Sequence, residues 1–405
     1  KSIVCIHVPQ ADWRMKPVFL NENPYKGSFK RNHEGDYHCT EMEVRAMIRD
    51  ANEDGNDGGL LDGFTLDDID ANTLHGYRNQ FKILNADHDW NDKDDKEFLR
   101  LLGGYTKNRQ TGKEGLTVAG LMMFGTGLAI RERFGNFRMD YLDMSHLEGE
   151  ERYRDRLTYD GRWENNLYQF FRIVMPKLTF DLPHPFHMVG YQRVDDTPQM
   201  KAVREGFTNS IIHSDLFLDS GILRIEKHDD CLCLRNPGNL KLPIENIYEG
   251  GVSKARNPRI QNMLRMIGYG ENIGSGFPKI ISAWQKAGWG KPELIDKYEL
   301  QEVELRLPIP NETGGQTDGQ TGGQTGGQTG GQTGGQIGGQ TGSPKTIEKV
   351  FELIKDNPYI TRQELVDKLA IKASAIQKHI EKLKAQKRIE RVGSSTFGGH
   401  WEIKE

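Results

Sequence analysis

Residues 314–342 repeat Gly-Gly-Gln-Thr with a period of four, with small variations such as Asp318 and Ile337. No aliphatic stripe runs through the repeat, so it has nothing to bury against the entropy of ordering its backbone. It is expected to be disordered. Whatever folds must therefore do so on either side of it. About 30 residues of such chain reach roughly 30 Å, enough to tether an end module loosely. In a homo-oligomer, two modules so tethered would find separate half-sites. At 405 residues the chain should hold two or three domains in all.

Beyond the repeat, residues 344–405 carry 13 Lys and Arg against 9 Asp and Glu, while the whole chain is net −4. Ile347, Val350, Phe351 and Ile354 form one helical stripe. Thr361 and Glu364 have capping-box spacing, with Leu365 and Leu369 facing inward on the helix they open. A turn at Ala370-Ile371-Lys372 leads to a helix with Ile376, Ile380 and Leu383 inward, and two short strands (388–392, 400–403) flank a Gly/Ser-rich tip. Three helices and a glycine-tipped hairpin resemble a winged helix-turn-helix. That resemblance implies a third helix in the major groove of double-stranded DNA and a wing along the backbone. By position, Ser374, Gln377 and Lys378 would face bases, and Lys372, Lys382, Arg388 and Arg391 would reach phosphates.

On the other side of the repeat, Thr197-Pro198 reads as an N-cap with proline at the first helical position, opening a helix to about Ser214. Glu205, Asn209 and His213 fall at i, i+4 and i+8 as one polar stripe, and Val203, Phe207, Ile211 and Ile212 suit packing on a sheet. A carboxylate one turn from a carboxamide suits metal-assisted nucleotide chemistry. The amide oxygen can ligate Mg²⁺ bridging phosphates, and the carboxylate can orient a water.

Downstream, Ile222–Glu226 and Cys231–Arg235 alternate as a β-hairpin, and Asn236-Pro237-Gly238-Asn239-Leu240 is expected to break the strand. Ser253–Pro258 introduces a helix with Ile260, Leu264 and Ile267 inward. Gly268, Gly270, Gly274 and Gly276 then lead into Phe277, Ile280, Ile281 and Trp284. Glycines before a helix N-terminus suit phosphate.

The order helix–strand–strand–turn–helix–glycine loop–helix resembles the nucleotide-binding fold shared by gyrase, heat-shock chaperones, histidine kinases and MutL (the GHKL class). More closely it resembles the divergent RecG C-terminal-like group. The carrying motifs are Arg204-Glu205…Asn209…His213-Ser214-Asp215, Asn236-Pro237-Gly238-Asn239-Leu240, Arg256-Asn257-Pro258 and Gly274-Ser275-Gly276. The resemblance implies ATP and Mg²⁺ as cofactors. Glu205 would be catalytic, Asn209 the metal ligand, and Asn236, Gly238, Gly274, Ser275 and Gly276 would bind nucleotide with Asn209. The wider class reads adenine with an Asp where Asn236 stands; an amide accepts a hydrogen bond more weakly than a carboxylate. Hydrolysis is left open.

At the start, Ser2–Val8 reads as a buried strand of a domain lacking its beginning. Pro17–Leu20, Gly27–Arg31 and a helix capped by Thr40, with Glu43 at N3, follow as strand, strand and helix. This resembles the last part of a Schlafen/AlbA-type nucleic-acid-binding domain, and no nuclease residues are assigned. Leu116–Gly125 resembles the same group's packing helix. Phe137–Met144 reads as a strand and Trp163–Met175 as an amphipathic helix stopped by Pro176. Gly112-Lys113 makes no phosphate loop, because Lys107 stands at the first glycine position and Glu114 at the Ser/Thr, and no helicase-type Walker motif occurs in the 405 residues.

The expected fold is thus an α+β multidomain chain. Residues 1–52 end an AlbA-like domain, 53–195 connect, 196–310 form a GHKL-like α/β sandwich, 311–343 link, and 344–405 form the winged helix. The four cysteines have no metal spacing, which points to a reducing, cytoplasmic compartment, and no apolar run of about 20 residues would span a membrane. Three functions fit: a DNA-binding, transcriptional regulator with a nucleotide-binding core; an ATP-hydrolysing enzyme acting on nucleic acid, as in phage defence; and a non-hydrolysing pseudo-ATPase that dimerises.

Overall fold

The computed structural model describes the chain apart from residues 1–3, 5–7, 9–10, 33–34, 181, 183–187, 190–191, 194–196, 220, 271–275, 311–348, 352, 356, 358–359, 361–364, 366–372, 387, 393–399 and 405. It divides into two compact units, Lys1–Thr317 and Asp318–Glu405. The linker expected at 311–343 lies outside the described residues.

The first unit opens with α1 (Pro24–Gly27), β1 (Phe29–Asn32), β2 (Gly35–His38) and α2 (Glu41–Asp50). The capping box forms as read: Thr40 Oγ1 accepts from the Glu43 amide, and Glu43 Oε2 accepts from the Thr40 amide at 2.7 Å. One expectation changes. The partner of β1 is β2, and Pro17–Leu20 makes only an isolated bridge, Phe19 to Ser28. Of the strand expected at Ser2–Val8, Val4 and Val8 are 83% and 79% exposed and the other residues lie outside the described ones.

Next come α3 (Ala71–Leu84), α4 (Asp95–Leu102), β3 (Tyr105–Lys107), β4 (Glu114–Leu116), α5 (Val118–Phe124), α6 (Gly127–Arg133), β5 (Arg138–Asp143), β6 (Asp155–Leu157) and α7 (Leu167–Thr179). Tyr77 is the hub of this part. Its ring meets Phe98, Phe124 and Tyr168 edge-on, and its hydroxyl donates to Met263 O at 2.7 Å. Every residue of α5 is buried, as a packing helix requires. α7 begins later than expected, at Leu167 behind the Asn166 cap, and continues through Pro176 to Thr179. Proline removes one amide donor, but the turn after it is still closed by the Phe180 amide on Pro176 O at 3.0 Å.

The remaining elements are β7 (Met188–Val189), β8 (Gln192–Arg193), α8 (Pro198–Ile212), β9 (Ile222–Lys227), β10 (Cys231–Pro237), α9 (Ile244–Glu249), α10 (Pro258–Met266), α11 (Gly276–Ala287), β11 (Glu293–Lys297) and β12 (Glu302–Pro308). Six strands form one mixed sheet in the order β11-β12-β10-β9-β5-β6, in which β5 and β9 pair in parallel and the rest antiparallel. The line drawn from the motifs at 195/196 therefore runs through a single sheet, since β5 and β6 precede it.

Val203, Phe207 and Ile211 of α8 are fully buried. Gly206 marks its closest approach to the strands: a Cβ there would lie 3.0 Å from Leu305 Cδ2 and 3.1 Å from Leu234 Cδ1. The opposite face of the sheet carries charge, with Glu304 buried among Arg235, Lys297 and Arg306. Asn236 and Pro237 do not break β10; they pair with Val303 and Glu302 of β12. A proline fits there because the registered pairing with β9 has ended at Arg235 opposite Arg224.

The second unit has α12 (Ala373–Ala385), β13 (Ile389–Val392) and β14 (His400–Ile403), the two strands antiparallel. Val350, Ile354, Leu365, Ile376, Ile380 and Leu383 form its own buried core, closed by Trp401, whose indole donates to Ile360 O at 3.3 Å.

Candidate functional site

α8 is positioned by its cap, Thr197 Oγ1 accepting from the Met200 amide, and by Pro198 at its first position. Its polar stripe faces a cleft. Glu205, Asn209 and His213 line it together with Asn236 from the end of β10, Gly276 from the start of α11, and Lys241, Lys254 and Arg256 from the intervening segments. Asn209 Nδ2 donates to Glu205 Oε1 at 3.3 Å, which leaves Asn209 Oδ1 for a metal. Gly276 sits hard against the carboxylate: a Cβ there would lie 2.1 Å from Glu205 Oε1. A side chain there would push the Glu205 carboxylate aside, so glycine lets the first turn of α11 lie against that carboxylate.

Of the residues expected to bind nucleotide, Glu205, Asn209, Asn236 and Gly276 share this cleft. Gly238 does not line it. It packs against Arg256 and Asp215 in a neighbouring cavity beneath α2. Gly274 and Ser275 lie outside the described residues. Among the described residues no three His, Cys, Asp or Glu side chains converge as a metal cage. A cation at Asn209 would thus need phosphate oxygens to fill its shell, which fits the way Mg²⁺ is usually held beside nucleotides.

The Arg256-Asn257-Pro258 motif builds the far wall. Arg256, 3% exposed, forms a bidentate pair with Asp50 of α2 at 2.8 and 2.7 Å and donates to His213 O and Asn239 O. Asn257 Nδ2 donates to Ile211 O and Ser214 O at the end of α8, and Pro258 starts α10. Beside it Arg49 pairs with Asp215 at 2.6 Å. Burial, then the charges of Arg256 and Lys241, push the His213 imidazole down to about 4, so it is neutral at physiological pH. Sequence reasoning quoted Arg256 only as part of a motif and missed Lys241, Lys254, Asp50 and Trp13. No spacing links Asp50 or Trp13 to this region; the tertiary fold brings them to the neighbouring cavity, which shares Lys241 and Arg256 with the cleft.

In the second unit, Ser374, Gln377 and Lys378 fall on α12 and Arg391 on β13, while Lys372 lies outside the described residues. Lys382 is exposed on α12, and Arg388 lies over the Phe351 ring at 3.9 Å. Among the described residues no helix is long and apolar enough to cross a membrane.

Residues 222–305 match the family described as "Putative ATP-dependent DNA helicase recG C-terminal". Residues 344–390 match "Winged helix-turn-helix DNA-binding", and residues 45–140 match "Domain of unknown function (DUF8451)". The chain thus carries a RecG C-terminal-like domain and a winged helix-turn-helix. The first match takes in Asn236, Arg256 and Gly276 but begins after α8, so Glu205 and Asn209 stand outside it. No curated protein matches the chain. Among solved structures, the DIP2311 protein from Corynebacterium diphtheriae is similar at 13% identity and a TM-score of 0.46, over 93% of this chain and 75% of that one.

Proposed function

We propose that the chain is a cytoplasmic DNA-binding, transcriptional regulator whose GHKL-like core binds a magnesium nucleotide. The observation that carries this is the convergence of Glu205, Asn209, Asn236 and Gly276, from three separate stretches of chain, on one cleft. Asn209 would hold the cation, Asn236 the base, and the amides at the head of α11 the phosphates. Bound Mg²⁺ would neutralise phosphate charge. Glu205, fixed between Asn209 and Gly276, would orient a water. The winged helix-turn-helix match supports DNA as the partner; Ser374, Gln377 and Lys378 would face bases, and Lys372, Lys382, Arg388 and Arg391 would reach phosphates.

A second reading, ATP hydrolysis, is favoured by one feature: Glu205 is the only carboxylate among the described residues lining the cleft. Calorimetry and phosphate release test both. Asn209→Ala should weaken nucleotide binding with Mg²⁺ more than without it. Glu205→Gln should retain the nucleotide and lose any turnover by about 10²–10⁴-fold, the usual contribution of a positioned base. No binding by the unaltered protein at millimolar ATP would leave the likeness as one of fold alone.

A further inference from the structure

The cleft is more cationic than a metal-bridged phosphate site needs. Its described lining holds one carboxylate, Glu205, against three cations, Lys241, Lys254 and Arg256. Arg256 is neutralised by Asp50, but Lys241 and Lys254 have no carboxylate within ion-pair distance among the described residues. Both ammonium groups instead lie over the buried ring of Trp13, Lys241 at 4.2 Å and Lys254 at 5.9 Å from its centroid. An aromatic face holds a cation in place without cancelling its charge. Lys241 sits beside His213, and from Glu205 to His213, the C-cap of α8, is eight residues, roughly 12 Å along the axis. The cations are therefore at the opposite end of the stripe from Glu205.

We infer that the cleft has a second anion-binding end, formed by Lys241 and Lys254 against Trp13, which takes a phosphate ester about two helical turns from Glu205. The inference rests on the nucleotide reading for what fills the other end. Its own ligand is a phosphate, either a second one on the same nucleotide or a separate inorganic ion. The state of Lys241 agrees. Burial, together with Arg256 and Lys254, brings its ammonium down to about 8 despite the opposing pull of Asp50. A bound anion would relieve that strain on the charge. Pockets with a surplus of one sign concentrate ligands of the other.

The test is calorimetric titration of the full chain, with Mg²⁺ present, by adenosine 5′-monophosphate, adenosine 3′,5′-bisphosphate and inorganic phosphate. The same ligands are given to Lys241→Gln/Lys254→Gln. The bisphosphate should bind the unaltered protein at least about tenfold more tightly than the monophosphate, and the double variant should bring the two within about twofold. The single Lys254→Gln, at an exposed position, should lose part of that preference. Inorganic phosphate that binds alone, and less well to the variant, supports the same site with a separate ion as its occupant. If neither nucleotide binds but phosphate does, the nucleotide reading fails and the anion end stands. If the substitutions leave both the ratio and phosphate binding unchanged, or the unaltered protein binds neither bisphosphate nor phosphate, the inference is overturned.

Discussion

Asp57 is wholly buried, with one carboxylate oxygen accepting from the Ile260 amide at 2.8 Å and the other 3.9 Å from Arg259. It stands in for a side-chain cap on α10, whose own N-cap, Asn257, makes none. Burial raises its carboxyl to about 6, against the hydrogen bond from Ile260 and the charge of Arg259. Between about pH 4 and pH 6 the folded protein then keeps a proton that the unfolded chain has released, so stability falls as pH rises through that window. His213 acts in the opposite sense. Its folded value of about 4 lies below the ordinary 6.5, so the unfolded chain binds the extra proton and stability rises with pH. The two largely cancel between pH 4 and 6. Asp57→Asn keeps an acceptor for Ile260 but removes the first term. Its denaturant-unfolding free energy should climb with pH across this window more steeply than that of the unaltered protein, by up to about 3 kcal/mol. Parallel profiles would show that Asp57 titrates normally.

At the scale of elements, Arg256 joins three segments: the end of α2 through Asp50, the end of α8 through His213 O, and the turn after β10 through Asn239 O. Removing one partner of a buried pair leaves the other charge uncompensated, which costs about 3–5 kcal/mol. Arg256→Ala should lower unfolding stability by that amount in urea titration. Arg256→Lys should restore little, since an ammonium cannot match a bidentate carboxylate and two carbonyls at once. A loss below about 1 kcal/mol would mean that α2 is not held there. Local elements were largely legible before the fold was seen. Thr197-Pro198 marked α8, Thr40 and Glu43 marked α2, and alternating residues marked β9 and β10, because caps and periodicity act within a few residues. What failed depended on neighbours: Pro176 sits in a helix, and Pro237 is tolerated by a sheet that has already shed one neighbour. The cleft was half legible. Motif order led to Glu205, Asn209, Asn236 and Gly276, whereas Lys241 and Trp13 meet only through packing between distant segments.

For the whole molecule, two separate hydrophobic cores imply two separable folding units. Residues 344–405 expressed alone should fold and bind duplex DNA with an affinity that falls with salt. Each phosphate contact removed at Lys372, Lys382, Arg388 or Arg391 should reduce the log–log salt slope by about 0.9. Gln377→Ala and Lys378→Ala should relax sequence preference, by roughly 1–3 kcal/mol per base contact. A module that is folded by circular dichroism yet shows no salt-dependent binding would be a protein-contact domain. The first unit offers no such division, because its sheet is stitched across by the parallel pair β5–β9, with residues 144–221 in between. As the chain leaves the ribosome, β5 has only β6 as a partner until residues 222–227 emerge, and a fragment cut at residue 196 would leave β9 as a bare edge. A piece containing only the RecG C-terminal-like stretch would therefore expose the β9 edge, and a shortened version that keeps the sheet whole has to begin upstream of Arg138.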